Sequence, residues 1–283
     1  MSTGPGAVPG RAWRLVGWGR PWASGAEGWS TLAVPPSRLH AGGMARIGTC
    51  GWSYRHWRHV LYEGVPQRLW LEHCAREFDV VELDGSFYHW PPDTRFHSWA
   101  DRLPDGSVMA VKAPRGLTHA RRLAEPQTWI SRMVPGLQAL GAHRGPLLVQ
   151  LPPDMPRDDE RLGHFLDLLP AWTRPVVEVR NDTWVAEPVF DLLATHGAAW
   201  CVTDGEGMPT VERATAALVY VRLHGPQHSP LHTGSYPESE LRDRADRVRG
   251  WESDGHEVFV LFNNDAEGNA VRNARTLRAL LEG

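Results

Sequence analysis

The chain is almost without lysine. Lys112 is the only one, and the other 29 of its 30 basic residues are arginine. Where arginine replaces lysine so widely, the lysine that remains is a candidate for a task that needs a primary amine. Lysine can lose its proton when buried and arginine cannot. Cysteine is nearly as scarce. Cys50, Cys74 and Cys201 are odd in number and far apart, with no C-x-x-C pair. That pattern indicates neither a disulfide framework nor a zinc ribbon, and a reducing cytoplasm is the default compartment. No apolar run is long enough to cross a bilayer, so no membrane partner is expected. Strong charge is lacking too: a net −3 gives no electrostatic case for a general nucleic-acid binder.

What is present is enough chain, 283 residues with 42% apolar content, for one large domain or two small ones. Residues 1–43 differ from the rest. They are rich in Gly, Pro and Ser, and Trp13, Trp18, Trp22 and Trp29 recur without period. They lack the continuous apolar segment of a signal peptide. We read them as a disordered extension or as the result of a start codon placed too early, with Met44 as the natural start. Four arginines and one glutamate fall in this segment, leaving 26 basic against 32 acidic residues, or −6, for the remainder.

From Ile47 onward strands and helices alternate. Strands are expected at 47–50, 79–84, 107–112, 146–151, within 176–184, and at 199–204, 218–224 and 257–262. Helical stripes lie between them: Leu71, Cys74 and Phe78; Phe96, Trp99, Ala100 and Leu103; Leu162, Phe165, Leu166 and Leu169; Val189, Leu192 and Leu193; Leu241, Ala245 and Val248; Val271, Ala274, Leu277 and Leu281. The region 126–141 is helical but interrupted by Pro135-Gly136, which predicts a kink or two pieces. Ser235 to Glu238 has the spacing of a capping box. Segment 205–217 has too little apolar period for a helix. Eight strands about 30 residues apart predict a (β/α)8 TIM barrel over 44–283 as one domain. A doubly wound open sheet is the alternative, but no G-x-G-x-x-G follows the first strand.

The opening lines of chemistry are in Val176 to Trp184. Glu178 and Arg180 stand two residues apart, which on a strand puts both on one face with Val177 and Val179 on the other. The same design recurs at the end of nearly every strand: Glu82 and Asp84, Lys112, Gln150, Asp204, Arg222 and His224, and Asn263. In a barrel these ends form the active-site face. A self-neutralising salt-bridge network would use the same residues, but buried networks contribute little to stability. A functional site is the better account. Loops beyond the strands add Trp52, Tyr54, Tyr88, His119, Trp184 and Tyr236, walls suited to a polar ring compound, although any one ring could simply pack a loop onto the barrel.

Several motifs in order carry a resemblance: Gly48-Thr49-Cys50-Gly51-Trp52-Ser53-Tyr54, Val81 to Tyr88, Thr118-His119, Gln150-Leu151-Pro152-Pro153, Glu178-Val179-Arg180, Tyr220 to Gly225, and Phe262 to Asp265 with Asn273-Ala274. Over roughly 46–282 the chain resembles the YecE-like proteins, catalogued as a domain of unknown function, number 72. The resemblance implies a TIM barrel and no particular reaction. Cys50 stands where that family usually has serine, and Asp84 where it often has asparagine, which takes both out of the candidate catalytic set.

The favoured reading is an enzyme for a small anionic or sugar-like substrate. Glu82, Lys112, Glu178, Asp204 and His224 are the candidate catalytic residues. Trp52, Tyr54, Tyr88, His119, Gln150, Arg180, Trp184, Arg222, Tyr236 and Asn263 are the candidate binding residues. The arginines would grip a carboxylate or phosphate, and neighbouring charges would push the two glutamate pKa values apart. The loops at His224-Gly225 and Asn263-Asn264-Asp265 lie where barrels bind phosphate, although Asp265 and Glu267 oppose a strong cradle. The alternative is a metal-dependent isomerase or phosphodiesterase, with Glu82, Glu178, Asp204 and His224 as ligands of a divalent metal. No H-x-H or H-E-x-x-H spacing supports it. Interleaved aromatic and basic residues in 52–58 and 87–95 keep a repair-type nucleic-acid hydrolase in view, against the charge. A retaining glycosidase fits poorly, because Glu82 and Glu178 come from opposite sides of the barrel.

Overall fold

The computed structural model describes residues 45–283 together with Met1. The segment read as an extension and the start at Met44 lie outside the described residues.

Eight parallel strands form a closed barrel in sequence order. They are β1 (Arg46–Cys50), β2 (Val80–Leu83), β3 (Val108–Lys112), β4 (Arg144–Gln150), β5 (Pro175–Glu178), β6 (Ala199–Asp204), β7 (Leu218–Leu223) and β8 (Glu257–Phe262). β8 closes onto β1 with Phe262 opposite Thr49. Each strand is apolar on both faces because each face meets its own core. Residues such as Val81, Val177, Trp200, Val221 and Phe262 pack outward under the helices. Their neighbours in the sequence, including Val80, Ala110, Leu148, Val176, Cys201, Tyr220 and Leu261, fill the barrel interior. The period of two is therefore a direct guide to which side chains reach the axis. Gly48 shows how tight the wall is: a Cβ there would lie 1.8 Å from the Val80 carbonyl oxygen of the adjacent strand.

Seven α-helices surround the barrel among the described residues: α1 (Trp70–Glu77), α2 (Asp93–Ala100), α3 (Gln127–Ala139), α4 (Asp159–Asp167), α5 (Glu187–Thr195), α6 (Glu238–Ser253) and α7 (Asn269–Glu282). The Asp158 side chain caps α4 by accepting from the Arg161 N–H at 3.0 Å. Of two local expectations, one is narrowed and one is corrected. α3 is one helix with Pro135 inside it, not two pieces. Pro135 is exposed, so its ring meets solvent, while Gly136 lets α3 approach α2 closely, a Cβ there falling 2.6 Å from the Phe96 ring. The capping box before α6 does not form: Pro237 is the N-cap residue, and the Ser235 hydroxyl accepts from Asn273 Nδ2 at 3.0 Å instead.

Between β6 and β7 the chain has no helix, as its missing apolar period predicts. The segment is fixed by side-chain bonds in place of helical ones. Trp200 Nε1 donates to the Val211 carbonyl at 3.1 Å, and the Trp200 N–H donates to Thr215 Oγ1 at 2.8 Å. No helix of the described residues is long and apolar enough to cross a membrane.

Candidate active site

Inward parity carries Glu82, Lys112, Gln150, Glu178 and Arg222 to the C-terminal end of the barrel, above an apolar plug that includes Ala110, Leu148 and Phe259. Arg222 is the hub. Its Nη2 donates to Glu82 Oε1 and its Nη1 to Glu178 Oε2, each at 2.6 Å, and all three side chains are wholly buried. The far oxygen of Glu82 accepts from the Tyr220 hydroxyl at 2.6 Å. Glu178 Oε1 accepts from Gln150 Nε2 and from Arg180 Nε, both at 2.6 Å. Such a network is costly to desolvate and holds together only because nearly every lone pair is met.

The two carboxylates sit in opposite electrostatic settings. Burial opposes the charge on Glu178, but Arg180 and Arg222 together outweigh it and hold the carboxyl well below its usual range. At Glu82 burial prevails over Arg222, Asp84 adds like charge, and the pKa rises. His224 is neutral. Burial, reinforced by Arg222 and Arg180, pushes it well below its usual value against the pull of Glu178. Its tautomer follows from its partners. Arg180 Nη2 and Arg222 Nη1 both donate to Nε2, at 3.1 and 3.2 Å, so the proton is on Nδ1, which donates to the Arg222 carbonyl at 3.1 Å.

Above this floor lies the mouth. The Lys112 side chain is only 11% exposed, yet among the described residues its ammonium makes no hydrogen bond. Its nearest anion is Asp84 Oδ1, 3.7 Å away, and it rests over the Phe87 ring at 4.6 Å from the centroid. His119 packs edge-on against the same ring at 4.9 Å, and its Nδ1 is 3.0 Å from the Thr118 hydroxyl. Burial and then the charges of Lys112 and Arg115 lower its pKa, so His119 is a neutral imidazole among cations. The segment that presents it is a π-helical turn, Gly116–Ala120, followed by left-handed Arg122, Leu123 and Glu125. Strained backbone of this kind gathers at functional sites.

The other sequence candidates divide. Asn263 shares the inward parity of Phe259 and Leu261 and stands at the mouth, with no side-chain hydrogen bond among the described residues. Tyr54 lies nearby with its hydroxyl donating to the Cys50 carbonyl at 3.0 Å. Trp52 is half-buried against Trp99, and Tyr88 is 81% exposed beside Phe87. Three candidates are placed elsewhere. Asp204 has the outward parity of Trp200 and Val202, and it pairs with Arg244 of α6 at 2.6 Å and Gln227 at 2.8 Å instead of the central cluster. Trp184 is fully buried, its indole N–H donating to the Met155 carbonyl at 2.9 Å. Tyr236 is buried too, and its hydroxyl accepts the Gly225 N–H at 2.9 Å. That bond occupies a donor that a phosphate cradle after β7 would need.

The geometry also bears on the alternatives. Glu82, Glu178, Asp204 and His224 do not converge as a ligand set, since Asp204 faces α6. Among the described residues only Cys50, Glu82 and Asp84 bring ligand atoms within 4.8 Å of one another. Arg222 Nη2 already sits on all three, 3.5 Å from Cys50 Sγ, 2.6 Å from Glu82 Oε1 and 3.5 Å from Asp84 Oδ1. Burial also keeps the Cys50 thiol protonated. These residues do not fit a divalent ion, because a guanidinium fills its place. The same guanidinium fills the gap between Glu82 and Glu178 that a glycosidase would leave for a sugar. Tyr220, Cys50 and Asp84 are members of the cluster that were not among the candidates. Tyr220 is two residues before Arg222, so the strand period could have found it.

The comparisons agree with this architecture. The family described as "Protein of unknown function DUF72" matches residues 46–283. The UPF0759 protein YunF of Bacillus subtilis is 26% identical over 274 residues, covering 84% of this chain and 95% of that protein. The UPF0759 protein YecE of Escherichia coli is 28% identical over 145 residues, 51% of each chain. A crystal structure of a DUF72 family protein from Thermotoga maritima superposes with a TM-score of 0.76 at 25% identity, covering 85% of this chain and all of that one. The chain is therefore a member of the DUF72 family, a (β/α)8 barrel whose strand ends bring Lys112, Arg180, Arg222 and two glutamates to one mouth.

Proposed function

We propose that this barrel is an enzyme that binds a small anionic substrate at its C-terminal mouth, with Lys112 and Arg180 as the anion's partners. The observation that carries the reading is the state of Lys112. It is the single lysine of the chain, nearly buried at the end of β3, with its three N–H donors unengaged by any described residue. Holding a cation there costs desolvation energy, offset by a long contact to Asp84 and the face of Phe87 but by no hydrogen bond among the described residues. A bound carboxylate or phosphate would supply the missing acceptors. Arg180, 17% exposed, turns its Nε and Nη2 to Glu178 and His224, and its Nη1 has no hydrogen-bond partner among the described residues.

On this reading Glu178 and Arg222 are fixed charges that orient Arg180 and His224. The groups able to move protons are His119, whose Nε2 is free of described partners, and Glu82, whose raised pKa permits it to hold a proton beneath the mouth. Acid–base isomerisation, elimination and hydrolysis all fit this set.

The chain itself offers a clean test. Lys112 is its only ε-amine, so acylation by a neutral N-hydroxysuccinimide ester can be followed at one site by peptide mass spectrometry. Orthophosphate and small mono- and dicarboxylates should slow modification of Lys112 beyond a chloride control of equal ionic strength. If no anion at millimolar concentration protects it, the reading is wrong.

A further inference from the structure

Building on that proposed anion site, we infer that the substrate is dipolar, with an ammonium or hydroxyl donor within two or three bonds of its anionic group. The mouth has two unlike walls. The β3–β5 side carries Lys112, Arg180 and the neutral His119. The β1–β2–β8 side carries Asp84, Asp265 and Asn263, and burial together with the Asp84 charge raises the Asp265 pKa against its own backbone bond and His232. The walls meet where Lys112 Nζ and Asp84 Oδ1 stand 3.7 Å apart.

Two polar groups on the acidic side lack hydrogen-bond partners among the described residues, although Asp84 lies at ion-pair distance from Lys112 and Arg222. Asp84 Oδ1 is buried and accepts no hydrogen bond from any described residue. Asn263 is 8% exposed, shares the inward face of β8, and its amide makes no hydrogen bond among the described residues. A buried acceptor without a donor is rare and costly unless a ligand completes it. An anion alone would satisfy Lys112 and leave Asp84 orphaned. A molecule with a donor next to its anionic group satisfies both at once.

Charge balance points the same way. The ion-pair network joins three cations, Lys112, Arg180 and Arg222, to three carboxylates, Glu82, Glu178 and Asp84. With all six groups ionised, a simple anion would give this set a net negative charge. An amino-bearing carboxylate adds no net charge, an amino-bearing phosphate adds less than its donor-free partner, and a hydroxyl-bearing anion at least gives Asp84 its missing donor.

Matched triads test the inference by thermal shift and calorimetry: ethyl phosphate, 2-hydroxyethyl phosphate and 2-aminoethyl phosphate, with propionate, 3-hydroxypropionate and β-alanine as the carboxylate set. In at least one triad a donor-bearing member should bind about tenfold or more tighter than its donor-free partner, the range of one charged hydrogen bond. In the Asp84→Asn protein that preference should collapse for an ammonium ligand and shrink for a hydroxyl ligand, with donor-free affinity unchanged or improved. Lys112→Met should weaken every member of the triad. Equal binding of all three members in both triads, abolished by Lys112→Met, would overturn the dipolar inference and leave the anion site standing. No binding by any member, or binding indifferent to Lys112→Met, would overturn both.

Discussion

Replacing Arg222 with methionine should destabilise the protein severely, and by an amount that depends on pH. Arg222→Met keeps an unbranched side chain of similar length but removes the donors to Glu82, Glu178, His224 and Cys50. Two wholly buried carboxylates then lose their shared countercharge. Breaking one partner out of a buried ion pair costs about 3–5 kcal/mol. For a domain of this size each kcal/mol is worth about 2–4 °C, so the melting temperature should fall by about 6–20 °C at neutral pH. The sign with pH follows from the charges left behind. Without Arg222 the folded-state pKa of Glu82, already raised by burial, rises further above its unfolded value, while Glu178 keeps Arg180 as a partner. Groups raised in this way stabilise at low pH and lose that contribution as pH increases. The deficit against the wild type should therefore be largest near pH 8 and shrink toward pH 5. Calorimetry across that range reads it directly. Adding Glu82→Gln should recover at least half of the deficit, since the remaining carboxylate, Glu178, keeps Arg180 as its partner. A single variant as stable as the wild type, or a deficit independent of pH, would refute the assignment of Arg222 as the hub.

Other consequences are more local. His224 is held neutral, with a pKa well below 6.5. It therefore contributes stability above pH 6.5 that is lost as pH falls toward its depressed value. His224→Gln should flatten the decline in unfolding free energy between pH 7.5 and 5.5 relative to the wild type, as measured in urea. Asp204→Asn breaks the bond to Arg244 and should cost about 1–3 kcal/mol of stability without changing anion protection of Lys112. An altered protection rate would return Asp204 to the site. Gly48→Ala forces a Cβ onto the Val80 carbonyl, and a loss of about 3 kcal/mol in urea unfolding is expected.

The barrel was legible because its evidence is periodic. Eight short apolar runs, each turning polar at the same end, leave few topologies open. The missing helix after β6 could likewise be read from the lack of apolar period in 205–217. The candidate site was legible in kind but not in its partners. Alternation along one strand says which way a side chain points, and applied to β6 it already separates Asp204, in step with Trp200 and Val202, from the inward Cys201. It says nothing about which distant group arrives opposite. That Arg222 spans Glu82 and Glu178, or that Tyr220 caps Glu82, depends on barrel closure. Tyr236 and Trp184 were misleading for a related reason. A loop aromatic near a strand end reads the same whether it faces the mouth or ties a loop down, and here their polar atoms bond to the Gly225 N–H and the Met155 carbonyl. Asp84 was set aside on a comparison of residue types, while its importance is positional: it sits where the two charged walls meet.

The most direct test of the account is to grow crystals in a mixture of small metabolites and to read what occupies the mouth. The account predicts an anionic group within hydrogen-bond distance of Lys112 Nζ and Arg180 Nη1, absent from crystals of the Lys112→Met protein grown in the same mixture. A mouth left without any small molecule, or an occupant held by the aromatic rim with no contact to Lys112, would contradict it.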